Sequence, residues 1–479
     1  MQEVKKGKWG NNFSEWFRSV LNGAELYDYR YPIKGCGVWR PYGFKLRRNV
    51  LKIIRKLLDE TNHHEVLLPL LIPETLLAKE SEHVKGFEEQ VYWVTHGGLD
   101  KLDVKLALRP TSETALAPML KLWIKSHSDL PLKLYQVVSV FRYETKATRP
   151  LIRVREITTF KEAHTAHATL EDAERQVKEA VEVYSKFFNS LGIPYTINLR
   201  PQWDKFAGAI YTIAFDTIMP DKRVMQIGTV HNLGQNFSKA FEITYLKVDG
   251  THDYIWQTCY GISERAIAAL ISIHGDDRGL IIPPSIAPIQ LVIIPIPYKG
   301  FEEKVYEKSR EIYEILKKAG FRVKLDDRED ITPGSKFYDW ELRGIPLRIE
   351  IGPKDLEEET ITISRRDTLE RYRYKVHEMI EKIEKLLEEV EEALKKRAKQ
   401  WFKNQINRIE NLEEAKRIFE EKGGILEVPW CGNDECGLKL GEKLDARVLG
   451  EALDVDKYVS KCIICGKTST KILRLARTY

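Results

Sequence analysis

Between Val140 and His167 the chain reads VFRYETKATRPLIRVREITTFKEAHTAH, which sets Arg142, Arg149, Arg153 and Arg155 among Glu144, Glu156 and Glu162. Arginine's planar fork suits bidentate contact with phosphate, and an adjacent acid such as Glu144 can fix it or help hold Mg2+. Arg142 and Glu144 are two apart, so on a strand they share a face, and Arg153 and Arg155 can return over that face on a paired strand. Arg265 lies just inside a helix start behind Gly261 and Ser263, where backbone N–H groups and the helix dipole also favour anions. Holding a nucleotide is the chemistry these residues suit. A lattice of surface ion pairs would give the same pattern, since such pairs are common and individually weak.

Four of the six cysteines fall near the end, as Cys431-x4-Cys436 and Cys462-x2-Cys465. Two close pairs can bring four thiolates around one tetrahedral cation, and zinc is the natural occupant. Glycines 432, 437 and 466 supply tight turns beside them. Disulfides and an iron–sulfur cluster are the alternatives, and a reducing compartment disfavours the first. With all four ligands from protein, the metal's role would be structural. Cys36 and Cys259 are isolated and read as small buried hydrophobes.

The elements that must carry these residues follow from periodicity. FKLRRNVLKIIRKLLDET (44–61) has apolar residues three and four apart, as in an amphipathic helix. EVLLPLLIP (65–73) reads as one buried strand, with Pro69 placing it at an edge or interface. KLYQVVSVFRYE (133–144) and REITTFKEAHTA (155–166) read as antiparallel strands flanking the arginine-bearing loop. A long amphipathic helix spans Glu171 to Leu191, and 223–241 with 253–274 read as strand, loop, strand and helix, capped near Ser263. The prolines of IIPPSIAP (281–288) mark a stiff linker. Beyond it the order β-α-β-α-β-β, then a Glu/Lys-rich helix at about 370–398, implies a small sheet covered by helices. The expected division is 1–282, 283–398 and 399–479. Tyr479, after LRLART, is expected to dock toward the first of these rather than fray.

Composition narrows the class. A chain of 479 residues with 43% hydrophobic content can bury several cores. No apolar run approaches a membrane span and MQEVKKGKWG lacks a signal peptide's apolar core, so a soluble, cytoplasmic protein with no membrane partner is expected. A net charge of +5 does not announce a nucleic-acid binder; a locally basic face would have to do that.

The order of three landmarks resembles class II aminoacyl-tRNA synthetases: HHEVLLPLL is similar to motif 1, FRYE and its loop to motif 2, YGISERAIAALI to motif 3. FSEWFRSVLNGAELYDY, GCGVWRPYGF, LRPTSET, FKEAHTAH, RPQWDKFAGA and PPSIAP together resemble the prolyl-tRNA synthetase family of the archaeal and eukaryotic type, over nearly the whole chain. The resemblance implies an α+β fold: a class II antiparallel catalytic sheet of six or seven strands, an α/β anticodon-binding domain, and a zinc-binding α+β C-terminal domain. It implies ATP, Mg2+ and structural Zn2+ as cofactors, proline and tRNA(Pro) as substrates, and a homodimer built on motif 1, with Pro69 facing the partner subunit.

It also implies roles by position. Arg142 would contact the α-phosphate, Arg153 the triphosphate and Arg265 the γ-phosphate or ribose side, with Glu144, Val154, Gln226, Thr229 and Ser263 completing the nucleotide site. Arg142 and Arg265 would be the catalytic pair. Proline would lie among Thr111, Glu113, Arg142, Phe160, Glu162, Phe206 and His231. Glu341, Arg348 and Lys354 would read anticodon guanines, and residues 145–152 would approach the acceptor end. His164 and His167 could be read as metal ligands, but no third ligand stands at a metal-like spacing.

Such a pocket rejects smaller amino acids weakly, because each missing methylene is worth about 1–3 kcal/mol. Activation of alanine or cysteine is therefore expected, and no large inserted domain separates motifs 2 and 3. The rivals are a threonyl, histidyl or glycyl enzyme, a non-catalytic synthetase-like protein, and a zinc-dependent nucleic-acid binder. GCGVWRP, FKEAHTAH and WDKFAGA argue against the first, and the presence of Arg142, Arg153 and Arg265 against the second. The third leaves the motif set unexplained.

Overall fold

The computed structural model describes residues 7–8, 12–80 and 90–479. Most of the opening MQEVKKGKWG, on which the signal-peptide reading rests, lies outside the described residues. Among them no helix is long and apolar enough to cross a membrane.

An eleven-stranded sheet organises the molecule. Its part within the first unit runs, in spatial order, Thr196–Leu199, Tyr211–Ile218, Val224–Gly234, Trp256–Ile262, Glu156–His167, Leu132–Phe141 and His64–Glu65. These seven pair antiparallel except the last, which runs parallel to its neighbour. One face is covered by helices. The Leu170–Ser190 helix begins where the Thr169 side chain accepts from the Asp172 N–H, with Glu171 and Asp172 in its first turn, as the helix dipole prefers. It buries Val177, Ala180, Tyr184, Phe187 and Phe188, and their rings join Phe215 and Tyr260 in the largest core. The opposite face is left for the site.

Two readings of single elements are corrected. EVLLPLLIP is not one strand: His64–Glu65 joins the large sheet, Leu71–Pro73 joins a three-stranded sheet, and 66–70 crosses between them. Pro69 lacks an N–H for a ladder, and side chains serve the crossing instead. Gln136 Oε1 accepts from Leu68 N at 3.0 Å, and Arg109 Nη1 donates to Leu68 O at 2.7 Å. Likewise 371–375 is an edge strand with the RYRYK alternation, and the long helix starts later, at Met379–Lys403. That helix runs unbroken through the expected 398/399 division.

The second unit is a five-stranded sheet in the order Val323–Leu325, Leu291–Pro295, Leu347–Ile351, Thr360–Arg365, Arg371–Lys375, the first three parallel. The C-terminal segment does not stand apart. Its Arg447–Ala452 strand pairs with Thr196–Leu199, so Lys471–Ala476, Ile425–Trp430 and Ile406–Arg408 extend the sheet of the first unit.

Candidate active site

A cavity of about 370 Å³ opens on the uncovered sheet face. Every residue expected to hold nucleotide or proline lines it: Thr111, Glu113, Arg142, Glu144, Arg153, Val154, Phe160, Glu162, Phe206, Gln226, Thr229, His231, Ser263 and Arg265. Phe160 and Glu162 arrive from Glu156–His167, and Gln226, Thr229 and His231 from Val224–Gly234. Arg142, Glu144, Arg153 and Val154 stand on the loop joining Leu132–Phe141 to Glu156–His167, not on two paired strands as expected, Phe206 on the loop before Tyr211–Ile218, and the rest at or just before the starts of the Glu113–Trp123 and Arg265–His274 helices. Gly35 closes the near end of the motif 2 loop, its carbonyl accepting from Arg155 N at 2.8 Å. With φ +80° and Arg155 N 2.9 Å from where a Cβ would stand, only glycine suits that position.

One end of the cleft is cationic. Arg142 donates through Nε to Pro110 O at 3.1 Å and lies 5.5 Å over the Phe160 ring. Arg265 is fixed by Ile152 O at 2.8 Å and Gln226 O at 3.4 Å. Arg153 has its Nε 3.8 Å from Glu144, while the other Glu144 oxygen accepts from Lys146 N at 3.0 Å. Burial, then repulsion from Arg142 and Arg153, brings the Arg265 guanidinium down to about 10. The three arginines thus leave a local excess of positive charge, the condition a polyanion relieves.

The other end is acidic, and Glu162 is held there by a set of hydrogen bonds. Glu162 accepts from Ser112 Oγ at 2.5 Å, Gln136 Nε2 at 2.7 Å, Thr111 Oγ1 at 3.1 Å and Ser112 N at 3.2 Å. Thr111 Oγ1 also lies 2.5 Å from Glu113 Oε2. His164 sits between the two acids, Nε2 at 3.5 Å from Glu162 and Nδ1 at 3.9 Å from Glu113. Burial would raise Glu162, but His164, Ser112 and Gln136 outweigh it and hold the carboxyl low. Burial likewise opposes the charged form of His164, and the two carboxylates reverse that, raising it. Burial alone takes His231 down to about 3, so it is neutral, bridging Thr212 Oγ1 at 2.8 Å and Thr229 Oγ1 at 3.0 Å against the Phe206 ring at 4.7 Å.

His164 and His167 do not form a metal pair: three apart on a strand, they face opposite sides, and His167 bonds Thr165. Glu113, His164 and Cys259 do lie within 4.8 Å of one another. With Glu162 beside it, His164 stands there between two carboxylates that favour its charged form.

Family models match in succession: a class II tRNA synthetase core domain (G, H, P, S and T) over 92–274, an anticodon binding domain over 290–386, and a prolyl-tRNA synthetase C-terminal domain over 412–479. A proline–tRNA ligase of Metallosphaera sedula is 59% identical, covering 100% of both chains. The chain belongs to the prolyl-tRNA synthetase family. Among solved structures, the Giardia lamblia prolyl-tRNA synthetase in complex with prolyl-adenylate matches with a TM-score of 0.96 and 37% identity, over 99% of this chain and 100% of that one. The Cryptosporidium parvum prolyl-tRNA synthetase complexed with halofuginone and AMPPNP matches at 0.95 and 33%, over 100% of both.

Sequence reasoning missed several residues of this prolyl-tRNA synthetase fold. Ser112 and Gln136 hold Glu162, and the first lies inside the quoted LRPTSET. Glu264, beside Arg265, accepts from Thr158 N at 3.3 Å and Thr159 N at 3.0 Å, and burial raises it to about 7. Arg200 forms a buried two-pronged pair with Asp216 at 2.7 and 2.9 Å and reaches Gln226 at 3.0 Å and Leu449 O at 2.5 Å. It ties the cleft-lining Gln226 to the C-terminal strands. Only its presence in RPQWDKFAGA hinted at this.

Away from the cleft, Glu341 accepts from Arg348 at 2.9 Å and from Arg278 at 3.0 Å, and Arg348 lies 3.9 Å over the Phe337 ring. Lys354 is exposed on the Pro353–Glu358 helix, and among the described residues no hydrogen bond or ion pair joins it to either. The sulfur atoms of Cys431, Cys436, Cys462 and Cys465 all lie within 4.8 Å of one another. Cys259 is buried, whereas Cys36, expected to be buried, is only half-buried beside Glu156. Tyr479 docks on the catalytic unit, its hydroxyl 2.7 Å from Asp221 and its ring 4.9 Å from the Arg149 guanidinium.

Proposed function

We propose that this chain activates proline with ATP to prolyl-adenylate and transfers it to the 3′ end of tRNA(Pro). The observation that carries the reading is the single cleft with Arg142, Arg153 and Arg265 at one end and the Glu113–His164–Glu162 cluster at the other. In the first step the proline carboxylate attacks the α-phosphorus in line and pyrophosphate leaves. Two anions must approach, and Arg142 lies where it can neutralise both. Arg153 and Arg265 take up charge building on the leaving group. Mg2+ bound to the phosphates would share that charge, and Glu144 is the cleft carboxylate suited to hold it. The secondary ammonium of proline is met by Glu113 and Glu162, with Thr111 and His231 on the polar edge and Phe160 and Phe206 as walls. In the second step the tRNA hydroxyl attacks the adenylate carbonyl and AMP departs.

The four-thiolate donor set fits Zn2+ in a structural role: Cys431, Cys436, Cys462 and Cys465 would hold it and close the C-terminal segment. A homodimer is supported by the crossing stretch around Pro69, where Leu67 is 81% exposed and Leu70 and Leu71 are also exposed. Glu341 and Arg348 are assigned to anticodon reading, with Lys354 on the adjoining helix, and a cytoplasmic setting follows from the substrates. Amino-acid-dependent ATP–pyrophosphate exchange across all twenty amino acids tests the reading. Proline should dominate, with weaker exchange for alanine and cysteine; exchange with threonine, histidine or glycine alone would refute it.

A further inference from the structure

A second large groove, of about 990 Å³, lies between the Pro41–Asp59 helix and the linker into the second unit. Lys45, Arg48, Lys52 and Lys56 line one side and Arg322 the other. Leu46, Val50, Ile54 and Leu58 turn the opposite side of that helix into the core, which fixes the basic residues outward. Lys45, Arg48 and Lys52 succeed one another at spacings of three and four and so form one stripe. At 1.5 Å per residue it is roughly 10 Å long.

Neighbouring cations on the helix are already engaged: Arg47 with Thr158 and Thr159, Arg55 with Glu65, Lys56 with Glu60 at 3.7 Å. Among the described residues, the side chains of Lys45, Arg48 and Lys52 make no hydrogen bond or ion pair. The acids in the groove, Asp59 and Glu60, stand at the far end of the helix, Asp59 accepting from Tyr135. Like charges at these spacings repel, so the stripe is a cost until an anion covers it. The facing wall is fixed. Arg322 donates to Ala287 O at 2.7 Å and Pro284 O at 2.6 Å, and Asn49 Nδ2 donates to Ile286 O at 2.9 Å, joining helix and linker.

We propose that this groove is a docking surface for the phosphodiester backbone of tRNA, gripped between the unit that activates the amino acid and the unit that reads the anticodon. The proposal rests on the ligase reading above. A chain with a net charge of only +5 needs a local basic face to hold RNA, and this stripe supplies one outside the cleft. Contacts of this kind position the RNA without reading its sequence.

The full-length triple variant Lys45→Gln/Arg48→Gln/Lys52→Gln tests it, with a tRNA(Pro) transcript as probe. The KM for tRNA should rise about tenfold, and the plot of log affinity against log salt should become shallower by about 2. Proline-dependent pyrophosphate exchange should stay at the wild-type rate. Unchanged tRNA KM and salt slope with exchange intact would overturn the proposal. So would conversion of a dimer to monomers in sedimentation, which would make the face a contact between copies. Should the triple variant lose exchange, the single variants Arg48→Gln and Lys52→Gln decide by the same readouts. Absence of proline exchange in the wild type would instead sink the ligase reading.

Discussion

Nε2 of His164 lies 3.5 Å from a Glu162 carboxylate oxygen, at the buried end of the cleft where the proline ammonium is assigned. Glu113 flanks the same ring at 3.9 Å, so one imidazole stands between two acids that favour its charged form. The partnership raises His164 above its ordinary value. A group whose folded value is raised contributes stability fully present below its unfolded value, near 6.5, and lost as pH rises through the folded value. His164→Gln should therefore lower the guanidinium midpoint of the ligand-free protein most at pH 6. The gap to wild type should narrow as pH rises past the folded value. Breaking a buried pair costs about 3–5 kcal/mol as an upper guide. A gap that widens with pH would contradict the assignment.

Arg265 reaches two backbone carbonyls while keeping part of its fork for a ligand. Lysine has the charge but not the geometry. Arg265→Lys should lower kcat/KM in proline-dependent pyrophosphate exchange by roughly 10²–10³, the range for losing one preorganised donor. Its unfolding midpoint should change little by comparison. Exchange within about twofold of wild type would count against Arg265 as a catalytic residue.

Arg348 is stacked on Phe337 and paired with Glu341, far in sequence from the cleft residues. Arg348→Ala should raise the KM for tRNA in charging while exchange stays near normal. Loss of exchange would mean that this unit does not read the anticodon.

The four C-terminal thiolates should carry about one zinc per chain by elemental analysis, and Cys462→Ser should reduce it. Because Arg447–Ala452 pairs with Thr196–Leu199 and Tyr479 bonds Asp221, the loss should propagate. Faster amide exchange is expected in 471–479 and in the Arg149 loop. Full retention of protection without metal would refute a structural role.

Much of this was legible in the sequence, for reasons that differ by residue. The strand that ends at Phe141, just before Arg142, and the strand that bears Glu162 announce themselves by β-branched and aromatic residues, and the Leu170–Ser190 helix by its apolar stripe. What stayed hidden depends on long-range pairing. No local signal shows that Ala452 will sit beside Asn198 and fuse the C-terminal segment to the catalytic sheet. Nor does any show that Leu68 leaves its ladder and is served by Gln136 and Arg109. Ser112, Gln136, Glu264 and Arg200 hold other residues in place, and such roles exist only once both partners are positioned.

The most direct measurement is a crystal structure with a non-hydrolysable prolyl-adenylate analogue. The proline ring should lie between Phe160 and Phe206 with its ammonium on Glu113 and Glu162. Arg142 should reach the bridge between carboxyl and phosphate, and Arg265 should lie on the nucleotide side. An analogue bound elsewhere, or bound with those arginines turned to solvent, would contradict the account.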